Sequence, residues 1–238
     1  DSSGTYSYNS SVSNNYSMDF DGVDDYLDIP DIPSSLYGAA FTFSAYVYAG
    51  DQTNTDYFNI LSTDDNTNGN TLQWGCHDDN LIFSLGTSSA GFYSNTPINR
   101  YEWTYVSVTY DGNNIIFYIN GNIDNTISAN LNINASLTII GHWLLGNNNI
   151  TDQEPWNGNL DDIKIWSSAL SQQEIQNYMS CPPTGNESGL VGYWNFEEGS
   201  GNTALDLTPN GNNGTINGAT YNTNVPVQSC GLTNTNGC

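Results

Sequence analysis

Positive charge is almost missing from this chain. Of 238 residues only Arg100 and Lys164 are basic, against 25 Asp and Glu, so the formal net charge is −23. Phosphate backbones and anionic lipid surfaces are repelled by such a field, which excludes nucleic acid as a partner. Long apolar stretches are missing too. No run approaches the roughly 18–20 residues that a spanning helix requires, which excludes direct membrane insertion by a helix. The N-terminus lacks the basic-then-apolar pattern of a signal peptide, so the chain reads as an excised module. Cysteine is sparse: Cys76, Cys181, Cys230 and Cys238 contain no C-x-x-C pattern, which speaks against a thiolate zinc site, and they allow three full pairings. Cys181 with Cys230 is the first expectation, because both flank the final segment and would close a loop worth roughly 3–4 kcal/mol. Cys76 sits in an apolar strand and is expected as a buried free thiol.

What fills the surface is Asn, Ser, Thr, Gly and acid, the composition of a secreted protein from a salty setting. The length suits one all-β domain. Phe41-Thr-Phe-Ser-Ala-Tyr-Val-Tyr48 alternates strictly and places Phe41, Phe43, Ala45 and Val47 on one face, with Thr42, Ser44, Tyr46 and Tyr48 on the other. Further strands are expected at 16–20, 25–29, 57–62, 71–76, 80–85, 103–110, 114–120, 136–141 and 160–166. Asp111-Gly112, Asn120-Gly121, Gly69-Asn70 and Gly86 supply the turns between them. The runs 101–110 and 115–120 form a hairpin about Asp111-Gly-Asn-Asn114. One helix is predicted over 171–179, where Ser171-Gln-Gln-Glu174 makes a capping box and Ile175, Tyr178 and Met179 give a short apolar face. Such a helix is too short to stand alone and must dock on the strands. The fold class is therefore all-β, a two-sheet antiparallel sandwich of jelly-roll type with one short helix.

Three further stretches carry a family likeness. Phe20-Asp-Gly-Val-Asp-Asp-Tyr26, Glu102–Gly112 followed by Phe117-Tyr-Ile-Asn-Gly121, and Gly158-Asn-Leu-Asp-Asp-Ile-Lys-Ile-Trp166 with Ala169–Glu174 resemble the laminin-G-like, concanavalin A-like jelly rolls. The resemblance runs from about residue 16 to 180. It implies the fold; function is left open, since such folds host lectins, adhesion domains, hydrolases and lyases. The segment 189–221 is similar to the opening strands of that family, yet it follows the helix. It either begins a truncated repeat or folds back to complete the sandwich, and closeness of sandwich termini favours the second. The domain is thus drawn as 1–221, with 222–238 as a linker toward neighbouring modules of the same chain. Similar tails resemble those of large surface proteins of Bacteroidetes, which implies an extracellular, bacterial cell-surface setting.

The resemblance also implies a calcium ion tying the first motif to the Asp-Asp motif, with Asp21, Asp24, Asp25, Asp161 and Asp162 as ligands. Oxygen donors without thiolate or paired histidine select calcium over zinc. The bland alternative is a solvated acidic rim in which these residues only make turns. Catalysis is not expected: the strand pattern Glu-x-Asp-x-x-Glu of glycan hydrolases on this fold is missing, one arginine and two histidines leave little for a lyase, and no nucleophile elbow accompanies His77 or His142. A binding module suits the inventory better. Sugars are held by aromatic faces and planar polar groups, and two loops concentrate these: His77, Asp78 and Asp79 in one; His142, Trp143, Asn147, Asp152 and Trp156 in the other. Trp103, Trp166 and Trp194 are expected in the core, with Trp74 undecided. The expectation is a calcium-dependent glycan- or polysaccharide-binding module of an extracellular adhesin. A structural or protein-binding spacer is the alternative, and a polysaccharide-degrading enzyme the remote one.

Overall fold

The computed structural model describes residues 14–29, 40–51, 57–63, 72–85, 91–131, 143–146 and 154–230. The first part of the chain forms β1 (Ser17–Asp21), β2 (Tyr26–Ile29), β3 (Phe41–Ala49), β4 (Tyr57–Thr63), β5 (Leu72–His77), β6 (Asn80–Leu85) and β7 (Phe92–Pro97). Then come β8 (Trp103–Tyr110), β9 (Asn114–Ile119), β10 (Asn122–Ser128), β11 (Trp143–Leu145) and β12 (Asn157–Trp166). Helix α1 (Gln172–Ser180) precedes β13 (Leu190–Trp194), β14 (Thr203–Ala204), β15 (Gly214–Asn217) and β16 (Thr220–Asn222). One sheet runs β10-β9-β8-β3-β12-β1-β16, with β13 also on β12; the other runs β14-β15-β2-β11-β4-β5-β6-β7. The two pack as an antiparallel sandwich.

Alternation sets the faces. Phe41, Phe43, Ala45 and Val47 of β3 enter the core between the sheets and meet Phe58, Trp74, Cys76, Leu81 and Phe83 of the second sheet. Phe43 and Trp74 stack with ring centroids 5.9 Å apart. The other face of β3 is also covered, because α1 docks on it: Tyr46, Tyr105 and Tyr118 pack with Trp166, Leu170, Ile175 and Tyr193 in a second cluster. Tyr46 Oη donates to the Met179 carbonyl at 2.9 Å, joining strand to helix end. The helix begins as its sequence predicts, with Ser171 as N-cap and Glu174 completing the capping box. Trp166 and Trp194 are buried, as is Trp74, while Trp103 is only half-buried and donates from Nε1 to Asn224.

Strand β12 organises the first sheet. It starts earlier than expected, at Asn157, and one edge serves two partners: residues 157–160 pair with β1 and residues 163–166 with β13. Between these halves lies a bulge, where Asp162 takes a positive φ of 56° and the register against β3 slips between Asp161 and Lys164. Gly158 also has a positive φ, and a Cβ there would lie 2.1 Å from the Tyr48 carbonyl oxygen, so close approach to β3 requires glycine.

Residues 190–222 add strands to both sheets: β13 on β12, β15 on β2 and β16 on β1. The linker expected from 222 does not begin there. Asn222 donates to Asp19, Asn224 donates to Asn159, and the Asn224 carbonyl accepts from Ser17. Cys230 is joined to Cys181 in a disulfide, so residues 222–230 are held against the sandwich. Cys76 is a buried free thiol. Strands β7 and β10 were not expected. Tyr93 lies in β7 opposite Ile82. The expected strand 136–141 falls outside the described residues.

Candidate functional site

The register of the second sheet gathers several turns at one rim. Leu27 of β2, Leu145 of β11 and Leu61 of β4 lie side by side, so the starts of β2 and β4, Tyr26 and Tyr57, point the same way. Tyr57 in turn pairs with His77 at the end of β5. The acidic turn 21–25 and the β5–β6 turn therefore share that rim.

The β5–β6 connection is a two-residue hairpin turn. Asp78 and Asp79 have φ of 49° and 66°, the pattern of a type I′ turn, which matches the twist of paired strands. Asp79 is committed to the scaffold: its carboxylate accepts from Arg100 Nε at 2.9 and 3.2 Å, and its carbonyl accepts from the Ile98 amide. This bond, followed by the nearby carboxylates, raises the Arg100 pKa further against the opposing effect of burial. The Asp78 side chain is 73% exposed and lies 3.9 Å from His77 Nε2. The His77 ring stacks on Tyr57 with centroids 4.1 Å apart, and Tyr93 lies 5.8 Å away on the other side. Beside this row Gly75 allows no side chain, since a Cβ would fall 2.2 Å from the Phe58 carbonyl oxygen. The result is a row of three rings beside an exposed carboxylate, fixed on paired strands.

Sequence reasoning identified His77, Asp78 and Asp79 but not their partners. Tyr57 comes from β4 and Arg100 from the connection between β7 and β8, so no local pattern marks them. The hairpin itself was legible, because only 77–79 separated two expected strands.

Other expected residues divide differently. Trp156 is not a contact residue: it is 0% exposed and packs on Phe58 in the core at 5.4 Å, drawn in as its amide bonds to the Gly146 carbonyl. Trp143 contributes backbone to β11, paired with both Ile29 and Thr63. His142, Asn147 and Asp152 lie outside the described residues.

Asp21, Asp24 and Asp25 do come together, with a carboxylate oxygen of each within 4.8 Å of the others. Asp21 Oδ1 accepts from the Val23 amide and Asp25 Oδ2 from the Asp21 amide. Burial, and then the Asp21, Asp24 and Asp19 charges against that one amide bond, push the Asp25 pKa up. Three hard oxygen donors in mutual repulsion fit a calcium ion better than they fit one another.

Asp161 and Asp162 do not join them. Asp21 pairs with Asn157, and the second acidic pair lies four and five residues further along β12, about 13–16 Å away. Both side chains are buried, on the strand face that carries α1 and the C-terminal clasp. Asp162 makes a 2.5 Å ion pair with fully buried Lys164, whose ammonium also lies 5.5 and 5.4 Å from the ring centres of Tyr105 and Tyr193. Desolvation lowers the Lys164 pKa, and Asp162 opposes that shift. Gln228 Nε2 donates to Asp162 at 2.6 Å, and Asn14 Nδ2 donates to Asp161 at 2.9 Å.

The fold and the sequence both have relatives. A model of the concanavalin A-like lectin/glucanases superfamily, of laminin-G type, matches residues 21–176. No curated protein matches the chain. Among solved structures, a carbohydrate-binding protein candidate from Bacteroides ovatus aligns with TM-score 0.65 and 21% identity, over 88% of this chain and 60% of the other. The chain thus spans less than two thirds of that protein. The heptameric SAP-like pentraxin of Limulus polyphemus aligns with TM-score 0.60 and 16% identity, over 88% and 95% of the two chains. The CBM40 of the Ruminococcus gnavus IT-sialidase, bound to α2,3 sialyllactose, aligns with TM-score 0.54 and 15% identity, over 66% and 95%. At these identities the structures speak for the fold alone. With two antiparallel sheets, one docked helix and a family match over most of its length, this chain belongs to the concanavalin A-like lectin/glucanases superfamily.

Proposed function

We propose that this chain is a non-catalytic carbohydrate-binding module, stabilised by calcium, in an extracellular adhesin. The observation that carries the reading is the Tyr57–His77–Tyr93 row with exposed Asp78 on the β5–β6 hairpin. Ring faces suit the C–H surfaces of sugars, and a carboxylate can accept from paired hydroxyls. The single guanidinium at this rim is already bound by Asp79, and the net charge is −23, so the favoured ligands are neutral glycans rather than sialylated or sulfated ones. Names of related structures, a carbohydrate-binding candidate and a CBM40, agree with carbohydrate as the ligand, although the CBM40's own ligand, α2,3 sialyllactose, is of the acidic kind that the charge of this chain disfavours.

Calcium would be held by Asp21, Asp24 and Asp25, where it would fix the turn between the sheets at the same rim. The Cys181–Cys230 disulfide suits an oxidising location outside the cell. Binding is tested on an array of neutral and acidic glycans with calcium present, using wild type and His77→Ala. Wild type should retain neutral glycans, and His77→Ala should lose them without a lower melting temperature. Silence across the array would reject the reading; calcium stabilisation with that silence would assign a structural spacer.

A further inference from the structure

Helix α1 covers only part of the outer face of the first sheet. Toward the rim three aromatic residues follow one another there: Trp103 of β8, Tyr48 of β3 and Tyr101 in the turn before β8. Trp103 stands opposite Tyr48 in register, with ring centroids 5.6 Å apart, and Tyr101 lies 6.5 Å from Tyr48. Trp103 and Tyr48 are half-buried, and Tyr101 is 54% exposed. The ring planes cross at 53° and 75°, so the row is not a flat platform.

Tyr101 is held in an unusual way. Its φ is 60°, its amide donates to the Ala49 carbonyl at 2.8 Å, and its hydroxyl is hydrogen-bonded to Asp51. A left-handed backbone is strained for an aromatic residue, easy for glycine and tolerated by asparagine, and at this exposed position no burial of the ring offsets the strain. A buried donor beside the row is also unpaired. Asn159, opposite Tyr48 on β12, is 4% exposed; its Oδ1 accepts from Asn224, while its Nδ2 has no hydrogen-bond partner among the described residues. Asn224 Oδ1 in turn accepts from Trp103 Nε1. Such a donor is costly unless a ligand hydroxyl or a water meets it. Rings with exposed surface and planar amides beside them are the two kinds of group that hold a sugar.

The His77 row occupies the outer face of the second sheet at the same end, since Tyr57 and His77 alternate with the core residues Phe58 and Cys76. Asp79 holds Arg100, the residue before Tyr101, so this ion pair is the ridge between the two rows. Neither basic residue is open to an anionic ligand here: Lys164 is buried on Asp162, and Arg100 is bound by Asp79. We propose that Tyr101, Tyr48 and Trp103 form an accessory row for the polysaccharide held at His77, so that the module selects long neutral chains over short oligosaccharides. The inference rests on the glycan reading above and adds to it the length of the ligand. Two weak contacts on one chain act together through effective concentration, which a disaccharide reaching a single row cannot use. The crossed ring planes suit a soluble chain whose successive units turn, rather than a flat crystalline surface.

The test is calorimetric affinity of the full chain for oligosaccharide ladders of β-1,3-glucan, β-1,4-glucan and β-1,4-mannan, each from disaccharide to decasaccharide. On a ladder that binds, the decasaccharide should bind at least tenfold more tightly than the disaccharide. Tyr101→Asn, which keeps a residue suited to the left-handed backbone, should retain the wild-type disaccharide affinity and melting temperature yet lose that gain. Tyr101→Trp, which keeps a ring, should preserve it, and Tyr48→Thr should lose it as Tyr101→Asn does. Equal affinity for both lengths in wild type, or a length gain that survives both Tyr101→Asn and Tyr48→Thr, would overturn the inference and leave the reading at His77 standing. Silence on all three ladders would also overturn it, and silence across the glycan array as well would take the reading at His77 with it.

Discussion

A ring can hold a sugar only where solvent reaches one of its faces, and this separates His77 from Trp156. His77 is partly exposed at a rim, whereas Trp156 is enclosed by the core. Truncating Trp156 leaves a cavity the surrounding β-sheets cannot close, so Trp156→Ala should lose about 3–5 kcal/mol of stability in a denaturant titration. A Trp156→Ala protein with unaltered stability but lost glycan binding would show that the ring leaves the core. The two acidic pairs diverge in the same way at residue scale. Asp24-Asp25 and Asp161-Asp162 are alike as sequence, and both begin or sit within strand-like runs. What distinguishes them is tertiary: a bulge turns Asp162 toward Lys164, two residues on, and Asn14 and Gln228 arrive from the ends of the chain. No local pattern encodes those arrivals.

Among the elements, α1 was legible from its own residues because capping is local chemistry. Ser171 Oγ accepts from the Glu174 amide, and the Glu174 carboxylate accepts from the Ser171 amide and hydroxyl. The Ser171 side chain and then its backbone N–H lower the Glu174 pKa in the folded chain. A lowered folded pKa means stability that is present above the unfolded value, about 4.3, and lost as pH falls through the folded one. Glu174→Gln should therefore be less stable than wild type at pH 6 by under about 1 kcal/mol, since the group is exposed. The difference should vanish near the foot of that window; urea midpoints at several pH values would show it, and a difference independent of pH would assign the cap to geometry rather than charge. The strands β3, β8 and β9 were equally legible, since alternation and a tight turn specify a hairpin. Strands β13, β15 and β16 are short and pair with residues far away in sequence, so their likeness to opening strands suggested a fold-back but could not specify which edge each would take. The tail was misjudged for the same reason: a Thr/Asn-rich stretch looks like linker until Asn222 and Asn224 find partners on β1 and β12.

For the molecule as a whole, the unpaired acid is the dominant electrostatic fact. A net charge of −23 destabilises the compact state by self-repulsion, and monovalent salt should relieve it as the screening length shrinks from about 10 Å at 0.1 M to about 3 Å at 1 M. Screening is indifferent to the identity of the salt, so sodium and potassium chloride should raise the melting temperature alike. Calcium acting through the Asp21 cluster behaves differently. An ion that binds only the folded chain stabilises by mass action, by about 2.7 kcal/mol when its free concentration is a hundred times its dissociation constant. Millimolar calcium should therefore raise the melting temperature well beyond the effect of sodium chloride at matched ionic strength, and Asp21→Asn should remove most of that excess while keeping the response to sodium. A calcium response no larger than the matched sodium response would mean that the acidic rim is only screened, and that the three carboxylates serve as turn residues in a sandwich soluble because it repels its own kind.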